Sequence, residues 1–295
     1  MNIDKSRIEL VPRTFSQIID ISLVFFRVHF AFFFKVSFWW SLPITLFLLT
    51  LQFLSSMSLY WFIPAVMIFL ILTNGALTTA SGHLIFQKDL KFKENSKLFK
   101  SNFRKYLLAI LIYRYLPALV CFFLFVVGVL LLKADNMVSG VIIITLFIII
   151  FFPALLFINR YLFLPEVILL ENLDYKQAKK RTLELIKYYS ARWFSFNIIL
   201  SFVQIILLYS LFSLYLFVLG QILEIPGYSS QNLIYINLST IDYLVICMFI
   251  ILINPVIYIC HFFSYLDTRI RKDGWDLEIR SKAYKDEVDN LNSIR

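Results

Sequence analysis

Charge is scarce in this sequence. Only 16% of its 295 residues are charged, against about 25% in soluble domains. No Asp or Glu falls in the middle of any long apolar run. Glycine is scarcer still, with seven residues against 32 Phe, and none sits in a Walker loop or a dinucleotide-binding turn. The three cysteines, Cys121, Cys247 and Cys260, lie inside apolar runs with no CxxC or Cys/His spacing. A disulfide framework and a zinc site are therefore not expected. HExxH and GxSxG are absent as well. His29, His83 and His261 stand near the ends of apolar runs without a carboxylate or cysteine at ligand spacing. These absences assign no catalytic residue, no metal ligand and no cofactor, and the chain is not expected to be an enzyme. No small-residue cleavage motif follows the first apolar run, so no cleaved signal peptide is expected.

What is present is apolar surface. Hydrophobic residues make up 60% of the chain and aromatics 18%, more than a soluble fold of this length can hide. Six stretches reach the roughly 20 residues that a helix needs to cross a bilayer: residues 31–54, 59–85, 106–132, 138–164, 193–219 and 241–266. The runs are continuous, not alternating, which excludes a closed β-barrel. The expected fold is all-α: a polytopic integral membrane bundle of six transmembrane helices, with residues 1–30 as an N-terminal segment, 31–266 as the membrane domain and 267–295 as a tail.

The net charge of +9 would point to nucleic acid in a soluble protein. Here 25 of the 28 Lys and Arg lie in the N-terminal segment, the links after spans two and four, and the tail. By the positive-inside rule both termini are expected in the cytoplasm of a bacterial inner membrane, and the partners are anionic lipid headgroups. No nucleic acid is expected.

The basic segments carry helix signals. Thr14-Phe-Ser-Gln17 and Asp174-Tyr-Lys-Gln177 read as capping boxes. Phe15, Ile18, Ser22 and Phe25 follow the first at helical spacing, and Tyr175, Ala178, Thr182, Ile186 and Tyr189 the second. Phe92, Phe99, Phe103 and Tyr106 make a third stripe, with lysines opposite. Three amphipathic helices lying in the cytoplasmic interface are expected. Aligning Thr14, Lys91 and Asp174 places Gln17, Glu94 and Gln177 together, which suggests three units of one interfacial helix and two spans.

Polar residues inside spans are the default functional candidates, because an unpaired charge there costs about 2–3 kcal/mol or more. Lys35 can snorkel to the interface. Arg114 stands eight residues into its span, roughly 12 Å deep. Gly75, Thr79 and Gly82 share a face at small-xxx-small spacing, the signature of a close helix crossing. Asn74, Arg114, Asn197, Gln204 and Asn254 are the candidates for a polar interior. Pro255 is expected to break the ladder of span six and free carbonyls that Asn254 or a neighbour satisfies. Glu166 and Glu171 are expected to pair with Arg160 or Arg181.

The tail begins YLDTRIRKDGWDLEIR, residues 265–280. Asp267 and Arg271 are four apart and suit a helical ion pair. Arg269, Arg271 and Lys272 are expected at headgroup level. Gly274 suits a helix stop, Trp275 an interfacial anchor, and Asp276 the cap of a short outer helix. The segment from Pro165 through Glu171, Ala178, Arg181, Thr182 and Leu185, this tail, and RTFSQIIDISLVFFRVHF at residues 13–30 together resemble the six-helix membrane region of some bacterial glycerophosphoryl diester phosphodiesterases. The same region stands alone in many bacterial membrane proteins. The resemblance implies a helical membrane domain and carries no activity, since hydrolysis in the two-part enzymes belongs to a separate barrel. Asp273 stands where Glu is usual, and Thr182 where Ser is usual. Three readings follow: a non-enzymatic scaffold for a membrane or cytoplasmic protein partner; a transporter or lipid-handling protein with Arg114 facing an anionic headgroup; and an intramembrane enzyme.

Overall fold

A computed structural model describes residues 11–54, 59–86, 90–134, 137–219 and 240–274. The described residues are helical with no strand: α1 (Phe15–Val28), α2 (Phe30–Leu54), α3 (Leu59–Phe86), α4 (Phe92–Ile110), a π-helical segment (Leu111–Tyr115), α5 (Leu116–Lys133), α6 (Met137–Arg160), α7 (Leu164–Leu170), α8 (Tyr175–Ile186), α9 (Ser190–Phe217) and α10 (Thr240–Asp273). Six helical stretches are long and apolar enough to cross a membrane.

The packing has a buried centre and an apolar outside. α10 touches α1, α2, α3, α8 and α9, and α3 packs on α2, α4 and α7. By contrast α5, α6 and α9 turn large apolar side chains outward, among them Phe123, Ile149, Phe152, Phe202 and Ile206. The main core gathers Ile18, Phe33, Leu77, Phe99, Phe163, Trp193 and Phe262. Glycine permits the close approaches within it. A Cβ on Gly75 would enter the rings of Phe99 and Tyr106, and one on Gly82 would enter Leu170. The small face of α3 therefore seats α4 and α7.

The three amphipathic segments are helices with one buried face each. α1 buries Ile18, Ser22 and Phe25. α4 buries Asn95, Phe99 and Tyr106. α8 buries Ala178, Thr182, Leu185 and Ile186. In the alignment from Thr14, Lys91 and Asp174, the residues four and eight places on are all buried: Ile18, Asn95, Ala178, then Ser22, Phe99, Thr182. The Thr14 box forms, with Thr14 N–H donating to Gln17 Oε1 at 2.9 Å and Gln17 N–H to Thr14 Oγ1 at 3.4 Å. The expected Asp174 box does not. The Asp174 side chain makes no cap bond and instead accepts from Lys105 Nζ at 2.8 Å. That bond, and then the lysine's charge, hold the exposed Asp174 carboxyl below the usual carboxylate range.

Two boundaries differ from expectation. α4 does not end before a separate span: it runs through the π segment directly into α5. Nothing between residues 104 and 116 stops a helix, whereas His29 breaks the corresponding junction of the first unit with φ −111°. α10 continues past residue 266 to Asp273, so the boundary expected at 266/267 falls inside a helix. It stops at Gly274, whose φ of 64° and N–H donated to Ile270 O make a left-handed cap that glycine adopts without strain. Trp275, Asp276 and the outer helix lie outside the described residues.

Candidate functional site

The sequence candidates separate into two polar groups inside the bundle and one clamp at its end. The first group joins α3 to α10. Asn254 Nδ2 donates to Asn74 Oδ1 at 2.8 Å and to Thr73 Oγ1 at 3.4 Å. Pro255 therefore does not turn Asn254 onto its own helix; the amide reaches across to α3, and α10 continues through the proline. One turn further along α10, Tyr258 donates to Glu166 Oε1 at 3.2 Å, and its hydroxyl lies 2.8 Å from Thr78 Oγ1. Glu166 is 1% exposed, and its Oε2 has no partner among the described residues. The expected pairing of Glu166 with Arg160 or Arg181 is not formed. α7 is a seven-residue helix buried along its length from Leu164 to Leu169, and it carries Glu166 inward, away from both arginines.

The second group contains Arg114. Pro117 explains its local structure. A proline offers no N–H to the carbonyl one turn back, and its ring crowds that carbonyl. Here the turn before Pro117 widens into the π segment, with Leu116 N–H donating to Leu111 O. Such single π turns recur at functional sites. Arg114 lies within this turn and lines a cavity of about 450 Å³ between α6, α9 and α10. Asn159, Asn197, Ser201 and His261 share the lining, and Phe151, Leu155, Phe194 and Phe202 form apolar walls. Asn197 Nδ2 donates to Asn159 Oδ1 at 3.3 Å, and Asn159 Nδ2 to Ser190 O at 3.2 Å. Asn197 Oδ1 and His261 Nδ1 are buried without a hydrogen-bond partner among the described residues.

Among the described residues, the Arg114 guanidinium forms no hydrogen bond and no ion pair. No carboxylate among the described residues lies within ion-pair distance of it. Five N–H donors in a planar fork thus face the cavity with no bonded acceptor among the described residues. Gln204 does not join this group: it lies outside the cavity lining and one to two turns beyond Asn197 on α9. Four of the five expected interior residues form a pair, Asn74 with Asn254, and a cavity site, Arg114 with Asn197. The sequence reading named Glu166 and His261 without placing them in these groups, and missed Tyr258 and Asn159. The available signal was the Glu of LPEVILLEN, an acid inside an apolar segment.

The clamp unites the charged motif residues. Asp267, 3% exposed in its side chain, accepts from Arg13 N–H at 2.6 Å and Arg271 Nε at 2.8 Å, with Arg192 Nη2 at 3.4 Å. Arg192 and Arg271 also donate to Arg13 O at 2.7 and 2.8 Å. Arg192 covers the rings of Phe15 and Trp193 at 5.1 and 4.9 Å. Beside this, Glu171 accepts from Tyr265 OH at 2.7 Å and pairs with Arg269 at 3.2 Å and Arg181 at 3.5 Å. Asp273 closes the ring onto Arg181 and Arg269. Asn172 takes a φ of 53°, a conformation asparagine tolerates, and turns the chain from α7 into α8. Arg269 and Arg271, expected at headgroup level, bond to protein acceptors.

Comparison of the chain with protein-family profiles, with curated proteins and with solved structures gives no match.

Proposed function

We propose that this chain is a multi-pass membrane protein that binds an oxyanion-bearing ligand inside its bundle, with Arg114 as the principal contact. The observation that carries the reading is the unpaired guanidinium on the floor of a cavity. A cation withdrawn from water is costly unless something pairs with it, and intramembrane cations mark ligand or ion pathways. Arg114 also matches oxyanions in geometry, since its fork gives two parallel bonds to a carboxylate or phosphate. Asn159, Asn197 and Ser201 supply neutral polar contacts, and nothing in the fold or the comparisons points to an enzyme.

In this reading the six long apolar helices cross the bilayer and the outward apolar faces of α5, α6 and α9 meet lipid. The clamp, α1, α8 and the basic links lie at the cytoplasmic face of a bacterial inner membrane, with both termini inside. α1, the first half of α4 and α8 lie in the interface. The continuous helix from α4 through α5 supports this placement. The 41 residues of Phe92–Leu132 would run about 60 Å at 1.5 Å per residue, about twice the hydrocarbon thickness, so part of the helix extends beyond the bilayer core. The three stretches that resemble the diesterase-associated membrane region, around Arg13, Arg181 and Asp267, meet in the clamp. Scaffolding of a protein partner is the second reading; the exposed Lys93, Lys97, Lys100, Lys176 and Lys180 on α4 and α8 favour it.

Equilibrium binding to the purified full chain in a neutral detergent tests the first reading, with glycerol phosphate as the soluble probe. Wild type is expected to bind it saturably and Arg114→Leu at least tenfold more weakly. Equal binding by the two proteins would remove Arg114 from the site.

A further inference from the structure

A second cavity lies against the first. It occupies about 310 Å³ between α5 and α6, with Met67 of α3 at its edge. Ala118, Cys121 and Phe125 line it from α5, and Phe147 and Ala154 from α6. Phe151, Leu155 and Ile158 line both cavities. These three are spaced i, i+4, i+7, so one stripe of α6 forms the shared wall. The second cavity carries no charged or amide side chain, and its one hetero-atom side chain of note, Cys121, is buried. Water in such a place would lack the two to four polar partners that hold it.

The order of these features along the helix is that of an amphiphile. Arg114 comes first, in the π turn. Ala118 follows four residues later and Phe125 eleven residues later, about 6 and 16 Å along the axis. A charged end is thus continued by an apolar channel running away from the clamp end of the bundle. In the proposed orientation the charge sits toward the cytoplasmic headgroups and the channel toward the bilayer centre. A soluble anion would make no use of the second cavity.

We infer that the ligand is an anionic phospholipid of the inner leaflet, its phosphate on Arg114 and one acyl chain in the cavity between α5 and α6. The inference rests on the oxyanion site at Arg114. Asn159, Asn197 and Ser201 are placed to meet the remaining headgroup oxygens. The stripe of Phe151, Leu155 and Ile158 yields to let the chain pass from one cavity to the next, since all three are partly exposed or exposed apolar side chains and not part of the buried core.

Ala154→Trp places a bulky ring in the apolar cavity and substitutes no side chain that lines the Arg114 cavity. With the full chain in neutral detergent, the probes are phosphatidylglycerol with long chains and glycerol phosphate. Wild type is expected to bind the lipid at least a hundredfold more tightly than the soluble ester. Ala154→Trp is expected to lower lipid affinity tenfold or more with glycerol phosphate binding unchanged. A phosphatidylglycerol carrying a photoreactive group mid-chain is expected to crosslink wild type at residues 118–125 and 147–155, a readout that needs no substitution. If Arg114→Leu weakens both probes but Ala154→Trp weakens neither and crosslinks fall on the outer face of α9, the anion site stands and the lipid inference fails. If Arg114→Leu weakens neither probe, the anion site itself fails.

Discussion

Arg114 and Asp267 are both charged side chains in an apolar protein, and their surroundings give them opposite roles. Asp267 is surrounded by donors: a backbone N–H and two guanidinium groups. Truncating it leaves Arg192 and Arg271 facing a buried void. Asp267→Ala is expected to cost about 3 kcal/mol, the low end for breaking a buried pair, because both arginines keep 26% side-chain exposure. Reversible unfolding in mixed micelles reads this; a change below about 0.5 kcal/mol, the range of ordinary surface substitutions, would contradict it. Arg114 has no acceptor to lose. Arg114→Leu is expected to raise stability by about 1 kcal/mol while weakening the ligand, the pattern of a group kept for function at a cost to the fold. Tyr258→Phe separates the two polar groups. It removes the donor to Glu166 and is expected to destabilise by about 1–3 kcal/mol with glycerol phosphate affinity within twofold of wild type. The sequence disclosed Arg114, because a charge eight residues into an apolar run is visible without coordinates. Glu166 was visible too, but its partner was not: Tyr258 stands 92 residues away, and tyrosine in an apolar run carries no signal of its own.

At the scale of the element, the π turn at Leu111–Tyr115 is the feature that places the site. It exists because Pro117 cannot complete an ordinary α turn. Pro117→Ala removes that cause. The segment is then expected to anneal toward a regular α-helix, which changes the turn by about one residue and so swings Arg114 by roughly 100° about the axis. Glycerol phosphate binding is expected to fall at least tenfold, as in Arg114→Leu, although no ligand contact has been substituted. Unchanged binding would mean that the π turn is incidental. The helices themselves were legible from apolar length and from the stripes on α1, α4 and α8. Their junctions were less so. The Thr14 box forms as read, but Asp174 prefers Lys105, a residue 69 positions away. Local capping signals do not reveal such competitors. The Asp267–Arg271 pair and the stop of α10 at Gly274 were legible, but the burial of Thr268 and Ile270 within DTRIRK, which reads as a polar collar, was not.

At the scale of the molecule, α10 packs on α1, α2, α3, α8 and α9, and α3 on α2, α4 and α7, and the sequence suggests three units of one amphipathic helix and two spans. The buried positions of α1, α4 and α8 share one register, which supports a repeat. Each amphipathic helix also touches the second long helix of the preceding unit taken cyclically: α1 on α10, α4 on α3 and α8 on α6. The proposed topology follows from the grouping of Arg13, Arg181, Arg192 and Asp267 at one end. Cysteines introduced at Ser56 and Ser230, with the three natural cysteines replaced, are expected to react with an impermeant maleimide on intact cells, and one at Lys180 only after permeabilisation. Protection of both outer sites would reverse or break the topology. The expectation of that topology rests on where the basic residues fall. The lateral cavities were not legible in the sequence, because they arise where α5, α6 and α9 meet, and apolar helices give no sequence sign of which faces remain uncovered.

The central claim, that Arg114 holds the phosphate of a membrane lipid, is tested most directly by an experimental density map of the full chain in nanodiscs of phosphatidylglycerol. The account predicts a headgroup against the Arg114 guanidinium and continuous density for one chain between α5 and α6. A guanidinium bonded to a protein acceptor, with both cavities closed by side chains, would contradict it.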